Sequence, residues 1–445
     1  MRARARVVSM ALALLVGAAC SDRGSGASPT PAQEHTNGDR SATAQTGDLA
    51  VFALGYRPAA GTPAPAIAAA QEHARAHATD ASAYVQLARA FIAHKRATAD
   101  VGLMAYAKDA IDAALTLQPA HREARHLQIV ASMDSHRFQR AADRARALLA
   151  ADGGDVTAHL LLSDALLEMG DYDGAVDALQ EAMDRYPDLR VHGRTAYLRW
   201  LHNDVEGALE SLADALGAGS REAEPRAWCY SELGLVHWHR GDLDKAGVAV
   251  QRALDLVPDY APALLVRARI AAARERFDDA IELLEGVVAR RPEAQELLLL
   301  AEFAGRSGRT EAAGEYLARA EKLAQHDPAP VALYHARHRL DAKQALAWAE
   351  AAVRERATVY TLDVHAVALA RAGRAEDARA AMARALALDT PDASLHLHRA
   401  LVELEAGDPA AAAAALQRAR SINPHADPIL RSELQTRLAG GQEKP

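Results

Sequence analysis

The chain has 445 residues, of which 50% are hydrophobic but only 4% aromatic, and its formal net charge is −8. Alanine and leucine supply most of the apolar side chains, which favours helices over sheets. The chain is acidic overall and lacks the clustered Lys and Arg of a nucleic-acid-binding protein, so we expect no nucleic-acid partner. The two cysteines, Cys20 and Cys229, are too few for a disulfide framework or a CxxC metal site.

The first twenty residues have the pattern of a targeting segment. Three arginines lie within the first six residues, and residues 7–16 form an apolar stretch too short to span a bilayer. Small residues at 17–19 precede Cys20 directly. This segment resembles a bacterial lipoprotein signal peptide, which implies a lipid anchor on Cys20. The alternative is ordinary cleavage after Ala19, which would release a soluble secreted or periplasmic protein.

Two further segments precede the regular part of the chain. Residues 21–46 are rich in Ser, Gly, Thr, Pro and Ala, and we expect a disordered tether. A flexible tether of this length would reach roughly 28 Å root-mean-square. Residues 47–79 are predicted to form an N-terminal strap and a capping helix, with Val51, Phe52, Leu54 and Tyr56 packing in an extended strap onto the first helices.

One alanine position recurs ten times, at intervals of 32 to 38 residues. This first ladder is Ala107, Ala141, Ala175, Ala208, Ala246, Ala280, Ala313, Ala345, Ala378 and Ala412. A second ladder of small or aliphatic residues lies seven positions later, from Ala114 to Ala419, and a third lies between them, from Ile111 to Leu416. Spacings of four and three place all three ladders on one face of a helix.

Turn residues divide each period into two helices. Gly170-Asp171, Gly241-Asp242 and Gly407-Asp408 combine a residue that ends a helix with one that caps the next. The pattern resembles the tetratricopeptide repeat, whose unit has 34 residues. The resemblance implies an all-α fold, an α-solenoid with a right-handed superhelix of about ten helix-turn-helix repeats over residues 80–426. Residues 427–445 are predicted to form a C-terminal capping helix and tail.

The resemblance also implies a concave groove lined by certain positions of each first helix. Those positions place three of the four tryptophans along one stretch of the groove. The groove candidates are Tyr197, Trp200, Trp228, Trp238, His239 and Arg269. Tryptophan, tyrosine and arginine give the most binding energy per side chain, so we predict that a partner binds here. The alternative is that the tryptophans fill gaps between helices.

Signatures of catalysis are absent from the sequence. It contains no GxSxG, P-loop, HExxH or Rossmann glycine motif, and no carboxylate or cysteine set completes a metal site around its histidines. We therefore expect neither an enzyme nor a bound cofactor or metal.

The function predicted from these features is a protein-binding scaffold. It would be lipid-anchored at Cys20, face the periplasm, favour the outer membrane, and bind a protein or an extended peptide in its groove. This resembles the repeat lipoproteins that assist outer-membrane or pilus assembly. The alternative is a ligand- or metal-sensing accessory subunit of a cell-envelope complex. Aromatic residues that close into a pocket would favour that alternative, whereas an open groove would favour a peptide.

Overall fold

The structure is a computed structural model that describes residues 49–58, 63–98, 100–219 and 223–440. The predicted signal peptide, Cys20 and the predicted tether lie outside the described residues. The described chain forms two compact units, one ending at Ala165 and the other beginning at Leu166. We call them the N-terminal unit and the C-terminal unit.

The described residues form 23 helices and no strand. Three helices lie outside the repeats: α1 (Val51–Gly55), α2 (Pro65–Ala76) and the terminal α23 (Pro428–Gly440). The first four repeat pairs are α3 (Ala81–Thr98) with α4 (Leu103–Leu117), α5 (Arg122–Asp134) with α6 (Phe138–Ala151), α7 (Val156–Glu168) with α8 (Tyr172–Arg185), and α9 (Leu189–Leu201) with α10 (Val205–Gly217). The next three are α11 (Ala223–His239) with α12 (Leu243–Leu256), α13 (Ala261–Ala273) with α14 (Phe277–Val288), and α15 (Ala294–Arg306) with α16 (Thr310–Glu321). The last three are α17 (Pro328–His338) with α18 (Ala342–Glu355), α19 (Val359–Arg371) with α20 (Ala375–Ala385), and α21 (Ala393–Glu405) with α22 (Pro409–Ile422). The predicted all-α solenoid of ten repeats is confirmed.

The turns within the pairs follow the predicted chemistry. Gly170, Gly241 and Gly407 each have φ of +77°, a left-handed conformation that suits a residue without a Cβ. The aspartates that follow them accept hydrogen bonds from backbone N–H groups in the first turn of the second helix. Each cap satisfies a donor that the helix itself leaves unpaired.

The three ladders form the interior of the repeats. Nine of the ten alanines of the first ladder are fully buried, and all ten residues of the second ladder are buried. The exceptions lie on α16, where Ala313 and Leu317 are half-buried. The small side chains let each second helix pack closely against its neighbours, so the assigned register is confirmed.

The start of the described chain differs from the extended strap that the sequence suggested. Val51–Gly55 forms one short helix, α1, whose Ala53 is buried. The side-chain amide of Gln71 on α2 donates to the backbone carbonyl of Ala53 at 2.8 Å, and the Ala53 N–H donates to Asp109 at 3.0 Å. Both bonds are made by the backbone of Ala53, the middle residue of a helix too short to pair all of its own groups, and they stabilise the helical turn.

No helix in the described ranges is both long enough and apolar enough to span a bilayer.

Candidate functional site

The six groove candidates all lie on the first helices of three consecutive repeats in the C-terminal unit. Tyr197 and Trp200 are on α9, Trp228, Trp238 and His239 are on α11, and Arg269 is on α13. Tyr197 is half-buried, and the other five side chains are buried. The tryptophans are only 4–6% exposed. In this conformation the indoles are therefore interior groups and not exposed anchors.

Five of the six candidates form one continuous cluster. The ring of Trp200 stacks on Tyr197, with a centroid distance of 6.1 Å, and lies 4.9 Å from the ring of His239. His239 is in turn 5.0 Å from Trp238, and the guanidinium of Arg269 lies 5.8 Å from the Trp238 ring. We call this set the aromatic cluster.

Trp228 lies apart from the aromatic cluster. It belongs to a small apolar core with Leu189, Ala215 and Cys229. Burial is the main cause that raises the pKa of the Cys229 thiol to about 12. A dry environment of this kind is typical of a packing position, which agrees with the alternative that at least one tryptophan fills a gap between helices.

Trp238 is buried in the core of its own and the next repeat, with Ala246, Val250 and Val266, and the C-terminal unit also closes on itself beside the cluster. Turns that end the first helices α7, α9 and α11 contact turns between later repeats, 153 to 189 residues further along the chain. The paired segments are 168–172 with 356–359, 201–203 with 389–390, and 238–239 with 392 and 423. We call this set of contacts the clasp.

Backbone groups carry much of the clasp. The Val359 N–H donates to the Tyr172 hydroxyl at 2.8 Å, and the Thr390 hydroxyl donates to the Leu201 carbonyl at 2.7 Å. Thr390 is fully buried, so this bond is shielded from competing water. Burial is also the main cause that raises the pKa of Tyr172 to about 12.

Charged groups accompany these bonds. His239 Nδ1 lies 3.6 Å from Asp392, which is 1% exposed, and Arg356 lies 3.6 Å from Glu168. The Asn203 amide donates to Asp389 at 2.8 Å. Arg356 with Glu168 is the buried ion pair among them, and a buried ion pair by itself adds little net stability.

A small pocket remains where the clasp covers the aromatic cluster. It is lined by Tyr197, Trp200, Glu232 and His239 from the early repeats and by Tyr360 from α19. The cavity volume is about 30 Å³, enough for one or two groups the size of a water molecule. The indole N–H of Trp200 has no hydrogen-bond partner among the described residues. The aromatic residues thus close into a pocket with a polar donor, but the space is too small for a drug-sized ligand.

The later first helices of the C-terminal unit hold buried charges that neutralise one another. Arg337 on α17 lies 3.0 Å from Glu302 and 2.9 Å from Asp427, and all three are buried. Burial alone would lower the pKa of Arg337, but the two carboxylates raise it above its ordinary value. Asp427 directly precedes α23, whose Leu430 and Leu434 are buried. The C-terminal helix is therefore fixed by both an ion pair and an apolar contact.

His398, in the C-terminal unit, makes a buried hydrogen bond. His398 is fully buried, and its Nδ1 lies 2.8 Å from both carboxylate oxygens of Asp363. Burial lowers the pKa of His398, although Asp363 opposes this effect. Within the part of the chain that the structure describes, no group of three His, Cys, Asp or Glu residues could hold a metal ion.

The N-terminal unit contains an open cleft that the sequence did not indicate. It is lined by Ser82 on α3, by Gln118, His121, Arg122, Glu123, His126, Leu127 and Val130 on or before α5, and by Thr157 on α7. Its volume is about 620 Å³. Leu127 and Val130 form a buried apolar floor, whereas the rim is polar. This combination suits an extended peptide, whose backbone needs hydrogen-bonding groups along the rim.

Ion pairs hold the rim of the cleft in place. His126 Nε2 lies 2.8 Å from Asp155, Arg122 lies 2.8 Å from Asp152, and Arg89 lies 2.9 Å from Glu123. His126 and Glu123 occupy the groove positions that the repeat register assigns to first helices, so the sequence did place them on the concave surface. Their polar side chains did not mark them as binding candidates in the way that the aromatic rings marked the tryptophans.

Comparison with known families identifies the repeats. Two family models, each described as a tetratricopeptide repeat, match the chain. One matches residues 132–196, 237–295 and 271–336, and the other matches residues 194–261 and 364–427. Together they extend over more than half of the chain. A comparison with curated proteins gives no match.

Several solved structures are similar to the chain at low identity. The Cut9–Hcn1 hetero-tetramer of APC/C is 16% identical, with 84% of this chain and 92% of that chain covered and a TM-score of 0.37. Yeast Tom70 is 15% identical, with 84% and 91% covered and a TM-score of 0.39. PilW, a type IV pilus biogenesis factor, is 20% identical, with 46% and 92% covered and a TM-score of 0.38. None of these likenesses bears on what this chain binds.

Proposed function

Because the chain belongs to the tetratricopeptide-repeat proteins, we propose that it is a non-enzymatic scaffold that binds a protein or an extended peptide on its concave surface. Tetratricopeptide-repeat proteins act as protein–protein interaction scaffolds. A scaffold needs an accessible surface but no catalytic groups. The repeats supply this surface by stacking their first helices side by side.

The observation that carries this proposal is the open cleft of the N-terminal unit. Its volume of about 620 Å³ contrasts with about 30 Å³ for the pocket beside Trp200. Gln118 and Arg122 are accessible at its rim, and apolar side chains lie at its floor. A partner segment would bury apolar groups on Leu127 and Val130 and pair its backbone with the polar rim.

The aromatic cluster would take part only if the clasp opened. Trp200 lies beside Tyr360 of the later repeats, and Trp238 packs in the core of its own repeats beside the contact that Asn423 makes. Partner binding at Trp200, Trp238, His239 and Arg269 therefore remains a prediction, and it requires the clasp contacts to be lost first. The partner's binding energy would then have to exceed the cost of opening.

The proposed location is the periplasmic side of a membrane, with the outer membrane favoured. The lipoprotein-like pattern that ends at Cys20 supports it. A chain attached there by a lipid and a flexible tether would hold its repeats near the bilayer without a membrane-spanning helix.

A second function is favoured by one observation, the closure of the aromatic cluster into a pocket. Tyr197, Trp200 and Tyr360 surround a small space next to the unpaired indole N–H of Trp200. This geometry supports a ligand-sensing subunit that responds to a small molecule. The ligand would have to widen the cavity and so disturb the clasp.

Site-specific photo-cross-linking in cells would test the scaffold proposal. A photo-reactive residue is placed at Gln118, which lines the cleft, or at Gln139, which is exposed on the second helix α6 as a matched control. We expect the Gln118 variant to trap one dominant protein that the Gln139 variant does not trap. Equal trapping at both positions would argue against the cleft as the binding surface.

A further inference from the structure

Exposed apolar side chains are concentrated at the start of the N-terminal unit. Seven large apolar side chains are exposed among the described residues, and three of them are Val51 (59% exposed), Phe52 (51%) and Val101 (52%). The other four are spread over residues 176–340 in the C-terminal unit. Single exposed apolar residues are ordinary, but a group of them marks a surface that contacts something apolar.

Phe52, one of these exposed side chains, packs against a set of aromatic rings. The ring of Phe52 stacks on Tyr106, with a centroid distance of 4.0 Å and an interplanar angle of 9°. Tyr106 packs in turn against Tyr56 at 4.7 Å and Phe91 at 5.5 Å, and Phe91 is fully buried. Phe52 is therefore held against the stack with half of its surface in solvent.

Val101 is two residues before α4, the helix that carries Tyr106. Its neighbour Asp100 acts electrostatically on both tyrosines of the stack. Burial, and then the charge of Asp100, raise the pKa of both Tyr56 and Tyr106. The exposed residues Val51 and Phe52 on α1, and Val101 before the helix that carries the ring under Phe52, are grouped here as one apolar patch, with the exposed Arg57 following α1.

We propose that this apolar patch docks onto the surface of a lipid bilayer, next to the point where the tether enters the N-terminal unit. The proposal depends on the anchor at Cys20 that the proposed function includes. The patch begins at Val51, and the predicted tether of residues 21–46 would let it lie within roughly 28 Å of the anchored cysteine.

The tether would act by raising the effective concentration of the patch at the bilayer. Three half-exposed side chains bury too little surface to hold a free protein on a membrane. A short flexible tether raises the local concentration of the patch at the bilayer to the millimolar range, where weak apolar contacts become populated. Phenylalanine and tyrosine rings suit the interfacial region of a bilayer, and the Arg57 guanidinium suits anionic headgroups.

The test supplies the anchor chemically. A chain that begins at Cys20 is coupled through this cysteine to a maleimide lipid in vesicles of phosphatidylcholine and phosphatidylglycerol. Cys229 is fully buried and does not compete for the reagent. Phe52→Trp reports insertion, and Val248→Trp, at another exposed valine site (59% exposed), is the matched control. The spectrum of the unsubstituted protein is subtracted in both cases.

We expect the emission of Phe52→Trp to shift to shorter wavelength on coupling, with quenching by brominated lipids roughly twofold stronger than for Val248→Trp. Adding Val51→Asp and Val101→Asp should abolish both effects, because each places a carboxylate at the bilayer surface. Unchanged emission and quenching of Phe52→Trp on coupled vesicles would overturn the proposal. The anchor itself is tested separately by fractionation of Cys20→Ser, so the failure of one is distinguishable from the failure of the other.

Discussion

The side-chain amide of Asn423 donates a 2.6 Å hydrogen bond to the backbone carbonyl of Trp238, which lies 185 residues earlier in the chain. The Trp238 carbonyl is in the last turn of α11, where helical carbonyls lack partners within the helix. Asn423 is 2% exposed, so the bond is buried. The same carbonyl also accepts from the Gly241 N–H at 2.9 Å. A residue of the last repeat thereby adds a second bond to the end of a helix five repeats before it, and the contact brings the later repeats next to the aromatic cluster.

The close packing of the clasp predicts that two glycine substitutions will differ in their effect on stability. Gly170 and Gly373 have nearly the same φ, +77° and +76°, but a Cβ on Gly170 would lie 2.5 Å from the carbonyl oxygen of Ala357, whereas no atom lies within 4 Å at Gly373. Gly373→Ala should lower the free energy of unfolding by about 1 kcal/mol through backbone strain alone. Gly170→Ala should lower it by roughly 1–3 kcal/mol more, because the clasp must shift. Denaturant unfolding measures both, and equal losses would contradict a tightly packed clasp.

Truncation of Trp238 separates the two roles considered for the tryptophans. Its side chain is 4% exposed, so Trp238→Ala should lower the free energy of unfolding by roughly 3–5 kcal/mol. Trp238→Phe keeps an aromatic ring and should lose much less. A binding hot spot would behave differently: partner affinity would fall by about 2 kcal/mol, with the circular-dichroism spectrum and melting temperature nearly unchanged. Thermal unfolding followed by circular dichroism distinguishes these outcomes.

Ionisation of Tyr172 should destabilise the protein at high pH. Burial is the main cause that raises its pKa from 10.0 to about 12 in the folded state. The neutral phenol is therefore favoured by folding, and its contribution is complete below pH 10 and lost as the pH rises towards 12. The loss should be about 2 kcal/mol.

Tyr172→Phe is the control for this pH dependence. It removes the bond from the Val359 N–H and should cost about 1 kcal/mol at neutral pH. Its free energy of unfolding should then change less between pH 10 and 12 than that of the unsubstituted protein. Identical pH profiles for the two proteins would show that Tyr172 is not the titrating group.

Substitution of the predicted lipidation site tests the location. Cys20→Ser should move the protein from the membrane fraction to the soluble periplasm, because the substitution removes the residue that would carry the lipid. The residue after Cys20 is Ser21, not an aspartate, which favours the outer membrane by the familiar sorting rule of enteric bacteria. Sucrose-gradient fractionation of both proteins measures how much of each is in the inner-membrane, outer-membrane and soluble fractions. If both fractionate alike, simple secretion is the better account.

The sequence by itself determined the helical repeats and their register. Ala107 and its equivalents recur near every 34 residues because each repeat needs a small side chain where its two helices cross, and contacts within a repeat are local in sequence. Gly170 and Asp171 likewise carry their own turn chemistry. The pattern also placed Trp200, Trp238 and His239 on the first helices, and the structure brings them together.

Tertiary structure alone decided whether those residues are accessible. Trp238 and Asn423 are 185 residues apart, and no periodic pattern links them, because the small rotation at each repeat accumulates over five repeats before the turns meet. The same holds for Leu201 and Thr390. The sequence could therefore assign a groove position to each tryptophan, but the contacts that close over Trp200 and the end of α11 depend on the summed curvature of the repeats between the contacting turns.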